Sequence, residues 1–280
     1  MNAYLTVDLI KNASILDISG TGDDTRLRRV LENVSRKVDD YCNRHFFTLS
    51  QTKKFDGDGG ILLLIPDLIS IDASGLKTDD NKDRTFETTW ATTDYLLLPS
   101  NADPTGGNGQ SRPYTEIEVD LDAGTEDVWT DGRQTVEIAA QWGFNRKYLR
   151  ATETVNEELD ATETGVDITT RTDIEAGHTI LVDSEQMYVL SYSSNTLTVL
   201  RGVNGTTGAT HSSGAVIDIF EYPGPVIEAT LALAAKWWKR KDSGFASSVG
   251  FPDGSFQTFK GMDPDVKGLL DPLQKFAVGI

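Results

Sequence analysis

The sequence predicts an α+β protein: a helical core with an antiparallel β-sheet, plus an inserted all-β barrel- or sandwich-like domain. Three observations lead there. Helical periodicity occurs twice, near residues 24–42 and again near 225–240, far apart along the chain. Between about residues 52 and 144, runs with strand character alternate with turns rich in Gly, Asn and Pro. Residues 151–222 then concentrate 12 acidic residues against two arginines, Arg171 and Arg201, around short strand patterns. The expected division is a core of residues 1–150 and 223–280, with 151–222 as an acidic insert.

Residues 1–22 show no periodicity and end in the turn-rich Ser19-Gly20-Thr21-Gly22. Asp23 and Asp24 suit a helix start, because carboxylates accept from the free first-turn amides and complement the positive helix end. Leu27, Val30, Leu31, Val34, Val38, Tyr41 and Cys42 recur at helical spacing, with Arg26, Arg28, Arg29, Glu32, Arg36 and Lys37 elsewhere around the cylinder. Burying each large apolar group is worth roughly 1.5–3 kcal/mol, whereas ordering each residue's backbone costs about 1–2 kcal/mol. This helix therefore needs a partner surface.

Strand signals follow. Gln51 to Phe55 lead into the turn cluster Asp56-Gly57-Asp58-Gly59-Gly60, and Ile61-Leu62-Leu63-Leu64-Ile65-Pro66 comes directly after. A short apolar run bounded by Gly and Pro reads as a buried strand. Tyr95-Leu96-Leu97-Leu98-Pro99 repeats the form. After a Gly-, Asn- and Pro-rich loop (100–113), residues 114–121 alternate with period two, as do residues 135–142. This is the pattern of an antiparallel sheet.

Within the acidic stretch, residues 166–169, 179–182, 186–191, 196–200 and 215–220 are strand candidates, separated by turns such as Ser193-Ser194-Asn195 and Asn204-Gly205. Pro223-Gly224-Pro225 opens the second helix, with Val226, Ile227, Thr230, Leu231, Leu233, Ala234, Trp237 and Trp238 forming a broad apolar surface. Lys236, Lys239, Arg240 and Lys241 gather at its C-terminal end, where positive charge is favoured. Adjacent helical positions point about 100° apart, so Trp237 and Trp238 cannot line one pocket. One is expected in the core and the other against a neighbouring element or subunit. The tail from Phe245 carries a short helical signal at Val266, Leu269, Leu270 and Leu273, and the rings Phe251, Phe256, Phe259 and Phe276. Those rings are covered either by a partner or by the tail's own domain.

Composition narrows the function classes. With 38% hydrophobic and 25% charged residues over 280 positions, wholesale disorder is not expected. The longest aliphatic run, Ile61 to Ile65, is far too short to cross a bilayer, and no secretion signal precedes Lys11. Cys42 is the single cysteine, so no internal disulfide is expected. A net charge of −17 argues against a protein that grips DNA, since duplex affinity comes chiefly from Lys and Arg.

Catalytic motifs do not emerge. A calcium loop begun at Asp56 would need an oxygen ligand at Gly60 and a glycine at Ile61; one begun at Asp79 would need glycine at Arg84 and glutamate at Trp90. His45, His178 and His211 are scattered, none with a second ligand at zinc-like spacing. Gly106-Gly107-Asn108-Gly109 lacks the third glycine of a dinucleotide fingerprint, and there is no phosphate loop or Gly-x-Ser-x-Gly elbow. The expectation is a non-enzymatic protein without metal or cofactor.

Several segments resemble, in order, the head–tail connector (adaptor) proteins of long-tailed bacteriophages. Leu31-x-x-x-Ser35, Val38-x-x-Tyr41-Cys42-x-Arg44-x-Phe46 is similar to the family's first helix and its exit. Lys54 to Gly60 with Leu62 to Pro66 and Ile69-Ser70-Ile71 resembles its turn–strand–proline segment. Asp94 to Pro99, Pro113 to Ile117 and Val136 to Phe144 continue the series, and Pro225 to Arg240 is similar to its last helix. The departure is the block 146–222, since compact members pass almost directly from the Trp142-Gly143-Phe144 strand to the last helix. Part of that block, Ile180 to Thr207, resembles small β-modules spliced into phage structural proteins.

The resemblance implies a virion protein of the neck, assembled in the host cytoplasm as a dodecameric ring under the capsid portal. DNA would pass transiently and without sequence preference through its lumen, and a tail-side stopper or tail-completion protein would lie below. Trp237, Trp238, Phe251, Phe256, Phe259 and Phe276 are the expected subunit or portal contacts. The competing class is a virion receptor- or glycan-binding module that uses the insert.

Overall fold

The computed structural model describes residues 2–12, 16, 18, 20–106, 112–240 and 262–275, with the backbone alone of 248–250 and 256–258. The chain divides into two compact units, residues 1–45 with 148–280, and residues 46–147. These bounds describe what packs together, whereas the expected division at 151–222 rests on charge and strand pattern along the sequence.

The unit 46–147 is built on an antiparallel sheet. Its strands are β1 (Leu49–Gly57), β2 (Leu62–Thr78), β3 (Thr88–Thr89), β4 (Tyr95–Leu98), β5 (Tyr114–Val119) and β6 (Gly132–Trp142). The order is β1-β6-β2-β5-β4, with β3 on β2. One face buries Leu63, Leu68, Leu76, Ile117, Val136 and Ile138 around Trp142 and a stacked pair, Trp90 and Trp129, whose ring centroids are 4.4 Å apart. Trp142 donates its indole N–H to the Gln51 carbonyl (2.7 Å).

β2 changes partners along its length. Leu62 to Leu64 pair with β5, whereas Ser70 to Thr78 pair with β6. Pro66 sits at the register shift between Leu64 and Leu68, where a missing amide donor breaks the ladder at least cost. Gly57 is needed where β1 leaves the sheet: a Cβ there would lie 2.0 Å from the Thr130 carbonyl oxygen. The Leu-rich run is not buried on both faces as expected. Leu63 and Ile65 are buried, but Leu62 and Leu64 remain 41% and 47% exposed, because the run lies in a sheet covered on one side only.

The other unit joins both chain ends to a second sheet. Its helices are α1 (Val7–Asn12), α2 (Asp24–Cys42), α3 (Gly224–Lys239) and α4 (Pro264–Leu270), the last running into a 3-10 turn, Asp271–Leu273. α2 buries Leu27, Leu31, Val34 and Val38 against α3, which contributes Val226, Ala229, Leu233 and Trp238. Asp23 precedes α2 without a side-chain cap bond, whereas Asp263 caps α4 by accepting from the Asp265 amide (3.1 Å). α1 was not legible as a helix; only Val7 and Ile10 of its six residues are buried.

The second sheet comprises β7 (Lys147–Thr154), β8 (Gly165–Asp167), β9 (Thr179–Val182), β10 (Glu185–Ser193), β11 (Thr196–Leu200) and β12 (Val216–Glu221), in the order β7-β12-β9-β10-β11-β8. It covers a core of Val166, Ile180, Val182, Met187, Val189, Leu197, Val199 and Ile217. This overturns the expected barrel or sandwich. The sheet is a single open layer that neither closes nor curls strongly, and among the described residues the one backbone bridge between its margins is the isolated Val155↔Ile168. The reason is local. β8 has three residues, and the amides of Thr172, Asp173 and Ile174 beyond it are taken by the buried Glu153 carboxylate instead of a strand. A backbone whose donors are met by a side chain has no ladder to extend. Two short strands, β13 (Ser248–Gly250) and β14 (Phe256–Thr258), form a separate antiparallel pair.

The N-terminal residues are tied to this sheet. Asn2 accepts from the Thr179 hydroxyl (3.0 Å) and the Asn204 amide (2.9 Å), and the Val7 amide donates to the Ala176 carbonyl (3.0 Å). No described helix is long and apolar enough to cross a membrane.

Candidate functional site

The sequence singled out the paired tryptophans of α3, and the helix separates them as its geometry requires. Trp238 is buried at 5% exposure, with the Arg26 guanidinium 5.2 Å from its ring centre. Trp237 is 42% exposed, and Lys37 of α2 holds its ammonium 5.4 Å from the ring. A cation over an indole face stabilises by roughly 0.5–1 kcal/mol at such an exposed position. The outer stripe of α2 beside Trp237 carries Arg29, Asn33 and Lys37, residues four apart and therefore on one face.

Of the tail rings, Phe251, Phe259 and Phe276 lie outside the described residues, and Phe256 is described only through the backbone of β14. Part of the tail does pack on its own unit. Val266 and Leu270 are buried, Tyr41 donates to Asp271 (2.5 Å), and the Lys275 amide donates to the Cys42 carbonyl (2.8 Å). Cys42 is enclosed there, and burial pushes its thiol up to about 12, which leaves it protonated and unreactive at neutral pH.

A second constellation was not legible in the sequence. Glu185, fully buried at the start of β10, receives Arg201 in bidentate fashion, Nε and Nη2 each at 2.7 Å. The Gly202 and Ala209 amides donate to the same carboxylate (2.9 Å each), and His211 places Nε2 at 2.9 Å from it. The other His211 nitrogen, Nδ1, faces Asp183 at 2.7 Å. Arg201 also donates to the carbonyls of Asp160, Glu163 and Ala209 (2.6–2.8 Å). Burial alone would raise the Glu185 pKa. The donors from Arg201, His211, Ala209 and Gly202 outweigh it and hold the group down to about 2.

Every polar atom that Glu185 and Arg201 present here finds a partner within the chain, and the partners come from two loops. The arrangement clamps residues 160–163 and 201–211 onto β10. Its polar atoms are taken up by the chain's own donors and acceptors.

His178, half-buried just before β9, accepts from the Glu175 amide through Nδ1 (3.1 Å), and desolvation of its charged form pulls its pKa down to about 4. It is therefore neutral at physiological pH.

The one group of described residues that brings three potential metal ligands together is Asp79, Asp83 and Glu87, with ligand atoms within 4.8 Å of one another. Asp79 is fully buried and already accepts the amides of Asp83 (3.1 Å) and Arg84 (2.8 Å). Asp83 accepts from the Thr85 amide (2.7 Å), which holds its carboxyl below the usual range, and Glu87 accepts from Asn81 (2.5 Å). These carboxylates serve the loop's own donors. The cluster is the fastening of a turn.

Compared with known proteins, the chain matches no family model, no curated protein and no solved structure.

Proposed function

We propose that this chain is a structural subunit of a tailed-phage particle, an adaptor that assembles as a ring between the capsid portal and the tail. DNA passes through the ring without being gripped, and the subunit carries out no reaction. One observation carries the reading: segments similar to the connector family occur in family order from residue 31 to residue 240. They fall on α2, β1 and β2, β4, β5, β6 and α3. The packing of α2 on α3 brings the two most distant of these segments together. A net charge of −17 suits a channel whose wall must not adhere to phosphates.

In this reading the neighbours are further copies of the chain, the portal protein above and a tail-side stopper or completion protein below. The second sheet, with the Glu185–Arg201 clamp, is a stably folded addition that faces another virion component. Immunogold labelling of purified particles in negative stain tests the proposal. Label at the portal vertex supports an adaptor. Label at fibre tips or over the capsid surface overturns it in favour of a receptor- or glycan-binding module.

A further inference from the structure

The sheet of residues 46–147 leaves one face uncovered, and that face is ordered in rows. Across β2, β5 and β4, Leu62 lies beside Glu118 and Glu118 beside Leu96; in the next row Leu64, Glu116 and Leu98 stand in the same relation. Side chains two apart on a strand share a face, so these six form two columns of leucine flanking one of glutamate. Leu62, Leu64 and Leu96 are 41–47% exposed. Neither glutamate has a hydrogen-bond or ion-pair partner among the described residues.

The sequence of this face is that of a covered one. Strands buried on both sides read as unbroken apolar runs, and Ile61-Leu62-Leu63-Leu64-Ile65 and Tyr95-Leu96-Leu97-Leu98 are such runs. The central strand alone alternates, placing charge where the cover must supply the opposite sign. Two copies of the face cannot cover one another, because the glutamate columns would meet and like charges across an interface repel.

The same chain carries a surface of matching chemistry. On α2 and α3, Trp237 is exposed with Lys37 over its ring, and Arg29 lies about two turns away on the same exposed stripe of α2. Neither cation has a carboxylate partner among the described residues. Trp and Arg are the side chains most often found to anchor protein interfaces, and the indole and the lysine stem offer apolar area next to charge.

We infer that the leucine–glutamate face of one copy docks on the Trp237–Lys37–Arg29 face of a second copy. The contact is heterologous, with different surfaces meeting, so it propagates head to tail and closes only as a ring. It deepens the adaptor proposal and requires from it only that copies of the chain meet.

Sedimentation of the purified full-length chain and two blocked variants tests it. Leu64→Lys with Leu96→Lys disables the sheet face; Lys37→Glu with Trp237→Ser disables the helix face. All four positions are exposed or surface-lying, and circular dichroism checks that both variants fold. The unmodified chain is expected to associate with concentration, and each variant alone to associate at least tenfold more weakly. An equimolar mixture of the two is expected to form dimers and stop there, since each pair retains one intact contact and two blocked ends.

A charge-only set, Glu116→Lys with Glu118→Lys against Arg29→Glu with Lys37→Glu, tests the same contact without altering an apolar group. Each of these variants alone is expected to associate more weakly, and their mixture to regain association beyond the dimer, because the reversed charges complement one another. Folded variants that associate as the unmodified chain does overturn the contact, as does a mixture that stays monomeric. So does an unmodified chain with a self-association Kd weaker than about 1 mM. Oligomers indifferent to both variants leave the adaptor reading standing, whereas label away from the portal vertex removes that reading however the sedimentation falls.

Discussion

Removing Arg201 tests whether the Glu185 clamp holds the second sheet together. Arg201→Ala leaves Glu185 as a buried carboxylate without its guanidinium and strips the donors from the Asp160, Glu163 and Ala209 carbonyls. Breaking one partner of a buried ion pair costs about 3–5 kcal/mol. The depressed carboxyl pKa expresses the same contacts on a second scale. A carboxyl held from 4.5 down to about 2 in the folded chain contributes about 3 kcal/mol at neutral pH. Because the folded value is the depressed one, this stability is complete above pH 4.5 and is lost as pH falls toward 2.

Urea unfolding, with hydrogen exchange on peptides from 179–203 to localise the event, is expected to show the midpoint falling at unchanged m for Arg201→Ala. Glu185→Gln is expected to lower stability at pH 7 and to flatten the acid limb, so that its curve meets that of the unmodified chain near pH 2. The double variant Glu185→Ala with Arg201→Ala should cost less than the sum of the two single changes by at least about 2 kcal/mol. A cost below about 1 kcal/mol for Arg201→Ala, or additive single changes, refutes the clamp.

Three further outcomes follow from the packing. Trp238→Ala should destabilise by about 3–5 kcal/mol, because the ring is buried between α2 and α3, whereas Trp237→Ala should stay within about 1 kcal/mol of the parent in the same unfolding assay. Truncation after Phe245 removes Val266 and Leu270 from the helices they cover. The loss should be roughly 3–6 kcal/mol, read as faster amide exchange in α2. Deletion of 151–222 joins Arg150, on β7, to Pro223, which lies just past the neighbouring strand β12. The insertion reading expects the helical circular dichroism of α2 and α3 to persist while residues 2–12 lose exchange protection; aggregation of the deletion would count against it.

The fold was legible in proportion to the length and regularity of each pattern. α2 and α3 announce themselves through many apolar positions at helical spacing, and β5 and β6 through clean alternation. α1 escapes because two buried residues in six make no period. β7 escapes because Lys147 to Thr154 carries almost no apolar alternation, although it pairs with β12 along an edge of the second sheet. Strand count predicted a barrel- or sandwich-like domain, but closure depends on what happens at the edges. There a single glutamate, Glu153, takes the amides that a ladder would need.

The interaction sites show the same limit. That Trp237 and Trp238 point apart follows from helix geometry, whereas the partners of Glu185 lie 16 and 26 residues away and are united only by strand pairing and loops. A faint signal existed. Glu185 lies in the polar turn Asp183-Ser184-Glu185-Gln186 between two apolar runs, and Arg201 is one of two arginines in an acidic block.

The pairing of α2 with α3 also fixes an order of events during synthesis. The apolar stripe of α2 is made first, yet its cover begins about 180 residues later, at Gly224. At roughly 5–20 residues per second, that stripe waits about 10–40 s without its partner. Residues 46–147 are contiguous and hold their own core, so they can close while the ribosome is still working. The helices assemble last, when both chain ends are available.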